Sequence, residues 1–363
     1  MGSRTRVVVL PRDSDTLRIE EVELPDPEPL QVEVRLFASG ICHSQLHEIQ
    51  RQRKNSLLVG HEATGIVTRT GGEVTHVTEG DTALITWVAR DATNASRPPK
   101  GIRLSVSDGT AWTKSVFTWA DVTLADEQFV VKVNPDITRD VTSIIGCAVM
   151  TGAGAVINTA DVQPGESVAI FGVGGVGLSA VAGARMAGAH PIIAVDLNDD
   201  KLQLARNFGA THLINASRED PVESIHLLTA QQGKFTFQQA TVSGADYTFD
   251  CIGINSTMKQ TIAACRKGQF GARTGGAAIF VGLPTDRLDI NVMELLVTER
   301  SLIGSFCGSC TPDVDIPRFI SWYENGDLNL DALVTERFRL EQINEAVTAL
   351  GAGKIQGRAI IVF

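Results

Sequence analysis

The chain is short of cysteine, of aromatic residues and of positive charge, and each shortage closes a class of function. Six cysteines are spread over 363 residues, with none between Cys42 and Cys147. So few thiols in so long a chain do not form a disulfide frame, and they read as reduced. Aromatic residues make up 6%, with only two tyrosines, which argues against an aromatic-rich binding surface. Lys and Arg number 32 against 42 Asp and Glu, a net charge of −10. Nucleic acid and anionic membranes repel such a protein, so neither is an expected partner. Long apolar runs are missing too. The longest uncharged stretch, Val141–Ala160, contains Thr142, Ser143, Thr151, Asn158, Thr159 and three glycines, which argues against a membrane span. Val7–Leu10 is far too short for the core of a signal peptide. A soluble, cytoplasmic protein is expected.

Apolar residues (43%) and glycine (34 residues) are plentiful, enough for roughly two domains. Residues 1–40 alternate apolar and charged side chains in short runs broken by Pro25, Pro27 and Pro29, the pattern of antiparallel strands. Strand-like runs continue at 65–70, 82–88 and 129–133. Near residue 139 the character changes, with Asp140 a candidate helix cap. After Pro164-Gly165, strand and helix patterns alternate: strands at 167–171, 191–196, 246–250 and 277–282, helices at 176–187, 199–208 and 256–266. This rhythm predicts an α/β fold with a doubly wound parallel sheet. Helix-like 314–324 and 340–350 and the apolar strand 359–363 close the chain without a core of their own. The predicted domains are therefore 1–150, β-rich and completed by about 310–363, and 151–309, which binds a dinucleotide.

Gly172-Val173-Gly174-Gly175-Val176-Gly177 follows a strand and opens a helix. Glycines there allow a tight turn and close approach of backbone N–H groups to a pyrophosphate. Asp196 ends the next strand, 19 residues past Gly177, where a carboxylate accepts from an adenosine ribose and repels a 2′-phosphate. The expected cofactor is NAD, in preference to NADP.

Cys42, His61 and Cys147 would make a two-sulfur, one-imidazole site suited to zinc with an open fourth position. Their separations match no compact finger, and spacing alone favours buried cysteines packed as small hydrophobes. Motif order changes that weighting. Gly40-Ile-Cys-His-Ser-Gln-Leu-His47, Gly60-His-Glu-Ala-Thr-Gly-Ile-Val67, Gly80-Asp81, Gly146-Cys147, the glycine loop, Ala194-Val-Asp196 and Gly357–Phe363 occur in sequence. Together they resemble the zinc-dependent medium-chain alcohol dehydrogenases, over essentially the whole chain.

The resemblance implies a GroES-like catalytic domain and a Rossmann domain, with zinc and nicotinamide in the cleft. It also implies a reversible hydride transfer between a primary or secondary alcohol and NAD, giving aldehyde or ketone, in a homodimer or homotetramer. By position, Cys42, His61 and Cys147 resemble the ligands of one catalytic zinc per chain, and Glu62 a carboxylate able to approach it. Ser44 resembles the hydroxyl that takes the alcohol proton and His47 the outer end of that relay. His43 and Arg358 resemble pyrophosphate contacts, Lys201 a basic residue beside the adenosine ribose, Thr151 a residue under the nicotinamide, and Trp87 a pocket aromatic.

The chain also departs from that pattern. The segment 86–112 lacks the four clustered cysteines of the family's structural zinc, so that metal is expected to be absent and the lobe held by packing or subunit contacts. Gln45 replaces an acidic residue, which leaves His61 in need of another orienting partner. Residues 231–243 read as an added surface hairpin or loop, Arg51-Gln-Arg53-Lys54 as a solvated face, and Cys307 and Cys310 as packing residues. The competing assignments are a zinc-free enone or quinone reductase of the same superfamily and a non-enzymatic nucleotide-binding relative.

Overall fold

The computed structural model describes residues 3–91, 93, 96–269, 274–284 and 287–363. Ala92, Asn94 and Ala95 of the 86–112 lobe lie outside the described residues. The chain forms two units, 1–148 with 311–363, and 149–310.

The first unit is β-rich because its alternating segments each bury one face. Its central strand, Gln31–Ile41, pairs antiparallel with Ala63–Thr70 on one side and Arg358–Val362 on the other. Among the described residues the sheet has seven strands. It continues through Thr82–Ile85 to Val130–Lys132 and, beyond the C-terminal strand, to Val334–Phe338. A second sheet runs Arg18–Glu23, Arg4–Leu10, Ser56–Leu58, Gly109–Thr113, Ile102–Val106. The predicted strand at 82–88 stops at Ile85. Trp119 is fully buried at the heart of this unit. Its indole N–H donates to Gly40 O at 3.1 Å, and its backbone N–H to Val59 O at 3.1 Å. One residue therefore ties together the segments that lead into Cys42 and His61.

A helix, His43–Gln50, follows the central strand. Its polar composition carries little helical signal, and periodicity does not reveal it. Arg53 closes its far end. The guanidinium is 7% exposed and donates to the carbonyls of Ile49 (2.6 Å) and Arg51 (3.0 Å). Arg53 is thus a helix-end clamp and no part of a solvated face. Asp140 is also not the cap it was expected to be: its side chain makes no capping bond and instead accepts from Arg337 at 3.0 Å.

The second unit holds a six-stranded sheet in the order 212–215, 192–196, 168–171, 247–250, 277–280, 301–304. Every neighbouring pair is parallel. Strand order reverses around Val168–Phe171, the switch point at which such sheets take ligands beyond their carboxyl ends. Residues 231–235 and 241–242 form the expected hairpin. A helical run from Val141 to Thr159 is long and apolar enough to cross a membrane, yet 83% of it is buried within the protein.

Candidate metal and nucleotide sites

In the first unit three distant segments bring their side chains together. Cys42 ends the central strand and starts helix His43–Gln50, His61 lies just before strand Ala63–Thr70, and Cys147 sits on a widened turn of the helical run. Their ligand atoms all lie within 4.8 Å of one another. Cys42 and Cys147 are buried and His61 nearly so. Cys42 is held well below the ordinary thiol range, chiefly by Cys147, helped by the positive charges of Arg358 and His61. Burial disfavours a His61 imidazolium, but the Cys42 thiolate and Glu62 more than offset it, and its pKa is raised.

Two other cysteines show how unusual Cys42 is. Burial pushes Cys251 upward and Cys265 to about 11, so both stay protonated and unreactive. With His61 Nδ1 engaged by Gln45, Nε2 is left buried without a hydrogen-bond partner. An orphaned imidazole nitrogen beside a lowered thiol suits a metal. Two thiolates and a neutral imidazole would balance a divalent ion, and this donor set matches zinc.

Gln45 is the residue that contacts His61 Nδ1. Its carboxamide nitrogen meets His61 Nδ1 while its oxygen accepts from Cys42 N–H at 3.1 Å. The capping-box spacing from position 42 to 45 was the available signal.

Glu62 does not join the metal group. It is fully buried and its Oε1 accepts from the Arg358 guanidinium, while its Oε2 accepts from Ala148 N–H at 3.4 Å. Burial raises the carboxyl's pKa, against the pull of Arg358. Arg358 correspondingly is 4% exposed and committed to Glu62. It holds the charge of that carboxylate, since an unpaired buried carboxylate costs several kcal/mol, and its Nε remains a buried donor without a hydrogen-bond partner. Gly40 makes room for this pair, since a Cβ there would meet Glu62 Oε1 at 2.3 Å.

Ser44 and His47 lie three residues apart on one helix, and so share a face. Ser44 Oγ is buried without a hydrogen-bond partner, as a hydroxyl awaiting a ligand would be. His43 is exposed at the same helix's start. Trp87 meets His61 edge-on, with ring centroids 6.2 Å apart.

In the second unit, Gly172 adopts φ +85° and Gly174 starts helix Gly175–Met186. A Cβ on Gly177 would meet Gly172 O at 1.9 Å, so only glycine lets this helix close on its loop. Beside Gly174 the space is open for 4 Å. Asp196 Oδ2 accepts from Val173 N–H at 3.0 Å and Oδ1 from Asn198 N–H at 3.1 Å. The carboxylate thus braces the glycine loop from the neighbouring strand. Lys201 lies in the first turn of helix Asp199–Phe208, half-buried. The Thr151 hydroxyl is directed to Cys307 Sγ at 4.0 Å. Cys310 donates to Met150 O at 3.4 Å and accepts from Asn158 Nδ2 at 3.4 Å. Cys307, Gly308 and Ser309 all have positive φ, and this left-handed turn seats the end of the helical run.

Two family models match the chain. Residues 28–135 match the alcohol dehydrogenase GroES-like domain and 175–325 the zinc-binding dehydrogenase domain. The alcohol dehydrogenase class-3 of Cereibacter sphaeroides is 34% identical, over 99% of this chain and 100% of its own. The S-(hydroxymethyl)glutathione dehydrogenase of Paracoccus denitrificans is 33% identical, over 97% and 98%. Benzyl alcohol dehydrogenase of Acinetobacter calcoaceticus, a solved structure, is 26% identical over 99% of both chains with a TM-score of 0.85. The chain belongs to the zinc-binding, medium-chain alcohol dehydrogenase family. Its chemistry is alcohol–aldehyde oxidoreduction.

Proposed function

We propose that the protein is a zinc- and NAD-dependent dehydrogenase of primary or secondary alcohols, running reversibly to aldehyde or ketone. The observation that carries this reading is the convergence of Cys42, His61 and Cys147 within 4.8 Å. Zinc held by those three residues would supply Lewis acidity that makes an alcohol hydroxyl easier to deprotonate. NAD would supply the hydride acceptor. The chain's own residues do the rest. Ser44 Oγ takes the hydroxyl proton, and His47, on the same helix face, is the outer base that returns it to solvent. The N–H groups opening helix Gly175–Met186 would hold a pyrophosphate, and Asp196 would accept from the ribose hydroxyls while repelling a 2′-phosphate. Arg358 keeps Glu62 neutralised beneath the site, and Trp87 beside His61 supports a flat or slender substrate.

We also propose a cytoplasmic homodimer or homotetramer. Ser301–Gly304 is a sheet-edge strand, and Val292, Met293, Leu296 and Phe306 nearby in sequence are each about two-thirds or more exposed. An exposed edge and apolar side chains of this kind favour self-association.

The test is NAD reduction over an alcohol panel at alkaline pH, alongside elemental analysis. One zinc per chain and turnover with NAD are expected; an active protein without zinc would sink the reading. Asp196→Ser should weaken NAD about tenfold or more and improve NADP, since one charge-assisted hydrogen bond is worth roughly 1.5–3 kcal/mol. Wild-type preference for NADP would reverse the assignment of Asp196.

A further inference from the structure

Gln45 has one side-chain oxygen, and two buried groups depend on its carboxamide. It is 2% exposed, at the third position of helix His43–Gln50. The backbone N–H of Cys42 donates to Oε1 at 3.1 Å. A backbone N–H cannot accept, so the carboxamide oxygen has to face Cys42. That turns the amide nitrogen to His61 Nδ1, which it meets. An amide NH2 only donates, so Nδ1 must be the accepting nitrogen. In a neutral imidazole the other nitrogen then carries the proton. Here that is Nε2, the one without a hydrogen-bond partner and the one left for a metal.

Metal binding reverses this arrangement. A ligating nitrogen gives up its proton, and the ring's second nitrogen becomes the N–H that needs an acceptor. Nδ1–H would then face the NH2 of Gln45, donor against donor. Rotating the carboxamide supplies Nδ1–H with the oxygen but leaves Cys42 N–H against the NH2. In either orientation one buried donor beside the metal loses its acceptor. A carboxylate of the same shape has two oxygens and meets both demands at once.

We propose that Gln45 is a positioning residue that lowers the zinc affinity of the Cys42–His61–Cys147 site, by favouring the His61 tautomer that metal binding must displace. The proposal rests on the reading of these residues as a zinc site. It makes the centre one that exchanges its ion more readily than a carboxylate-supported centre would.

The isosteric change Gln45→Glu isolates the effect. Metal-free wild type, Gln45→Glu and Cys147→Ala are titrated with zinc against a chromophoric chelator at alkaline pH, where imidazole is neutral. Zinc should bind Gln45→Glu about 10–100-fold more tightly than wild type, the usual scale for a group supporting a metal-ligating histidine. Nitrogen-15 NMR of histidine in the metal-free wild type should show Nε2 protonated and Nδ1 bare. The NMR reads the tautomer directly and decides the matter even if the variant fails to fold. Equal or weaker binding by Gln45→Glu, with one zinc in both proteins, would overturn the role of Gln45 alone, as would a proton on Nδ1 in the metal-free wild type. If wild type and Gln45→Glu take up no more zinc than Cys147→Ala, the metal reading itself falls and the proposal with it.

Discussion

The ligand triad and the lobe at 86–112 belong to the same unit, yet they are held in place by opposite means. Around the triad, polar groups do the positioning: Gln45 on His61, Arg358 on Glu62, the indole of Trp119 on Gly40. In the lobe, apolar packing dominates. Ile102, Leu104 and Ala111 sit in a core with Val7, Val9, Leu58 and Phe117. The hairpin Ile102–Val106 and Gly109–Thr113 extends the second sheet. Ion pairs add to it, among them Arg97 donating to both oxygens of Asp126 at 2.8 and 2.6 Å. Burying Ile102 and Leu104 is worth roughly 3–6 kcal/mol together. Packing of that size can stand where a structural metal would otherwise fix a lobe. It cannot stand in for the triad, whose polarised sulfurs and orphaned nitrogen gain a use only with an ion between them.

If that contrast is right, the largest effect comes from the triad itself. Cys147→Ala should lose zinc and turnover together, by elemental analysis and assay. Chelation of the wild type should stop turnover while proteolytic cleavage within 86–112 stays unchanged. Accelerated cleavage on chelation would mean that the lobe depends on metal after all.

Next in size is the relay. Ser44→Ala should lower turnover by about 10²–10⁴-fold while nucleotide binding and zinc content persist. His47→Gln should cost less and mainly at lower pH, because solvent partly replaces an outer base. Wild-type rates in Ser44→Ala would remove its hydroxyl from the mechanism.

The smallest effect on chemistry should come from the lobe. Arg97→Ala should destabilise the protein by about 2–4 kcal/mol, since it removes the charged partner of a buried carboxylate, with zinc content unchanged. Burial pushes the Asp126 carboxyl up, but Arg97 and the N–H groups of Lys100 and Gln128 pull it below the ordinary value. With the folded pKa below the unfolded one near 3.9, its stabilisation is complete above that value and lost as pH falls through the folded pKa. Hydrogen exchange in the lobe should therefore rise below about pH 4 in wild type, and that acid limb should disappear in Arg97→Ala.

The nucleotide-binding half was legible in the sequence because its signals are local. The glycine loop, the strands beside it and Asp196 are set by short-range periodicity and backbone sterics, and helix 199–208 forms at its predicted ends. The triad was legible only through resemblance, since 19 and 86 residues separate its members. The Glu62–Arg358 pair joins residues 296 positions apart, a burial effect that no window along the chain reveals. Helix His43–Gln50 escaped because its residues are mostly polar and its stability comes from its ends, Cys42 with Gln45 and Arg53. The lobe hairpin escaped because its two strands are only five residues each and follow Pro98 and Pro99.

The helical run from Val141 changes pitch along its length, from a tight 3-10 turn to a wide π turn holding Cys147, then an α turn holding Thr151 and a second π turn. Each residue of an α-helix turns the chain by about 100°. Losing or gaining one residue between Cys147 and Thr151 would therefore turn the remaining residues of this helix onto other faces. Lineages derived from this chain should accept insertions and deletions in the 231–242 hairpin and reject them in this helix. The helix thus fixes the order of its own turns, and drift in length must accumulate elsewhere.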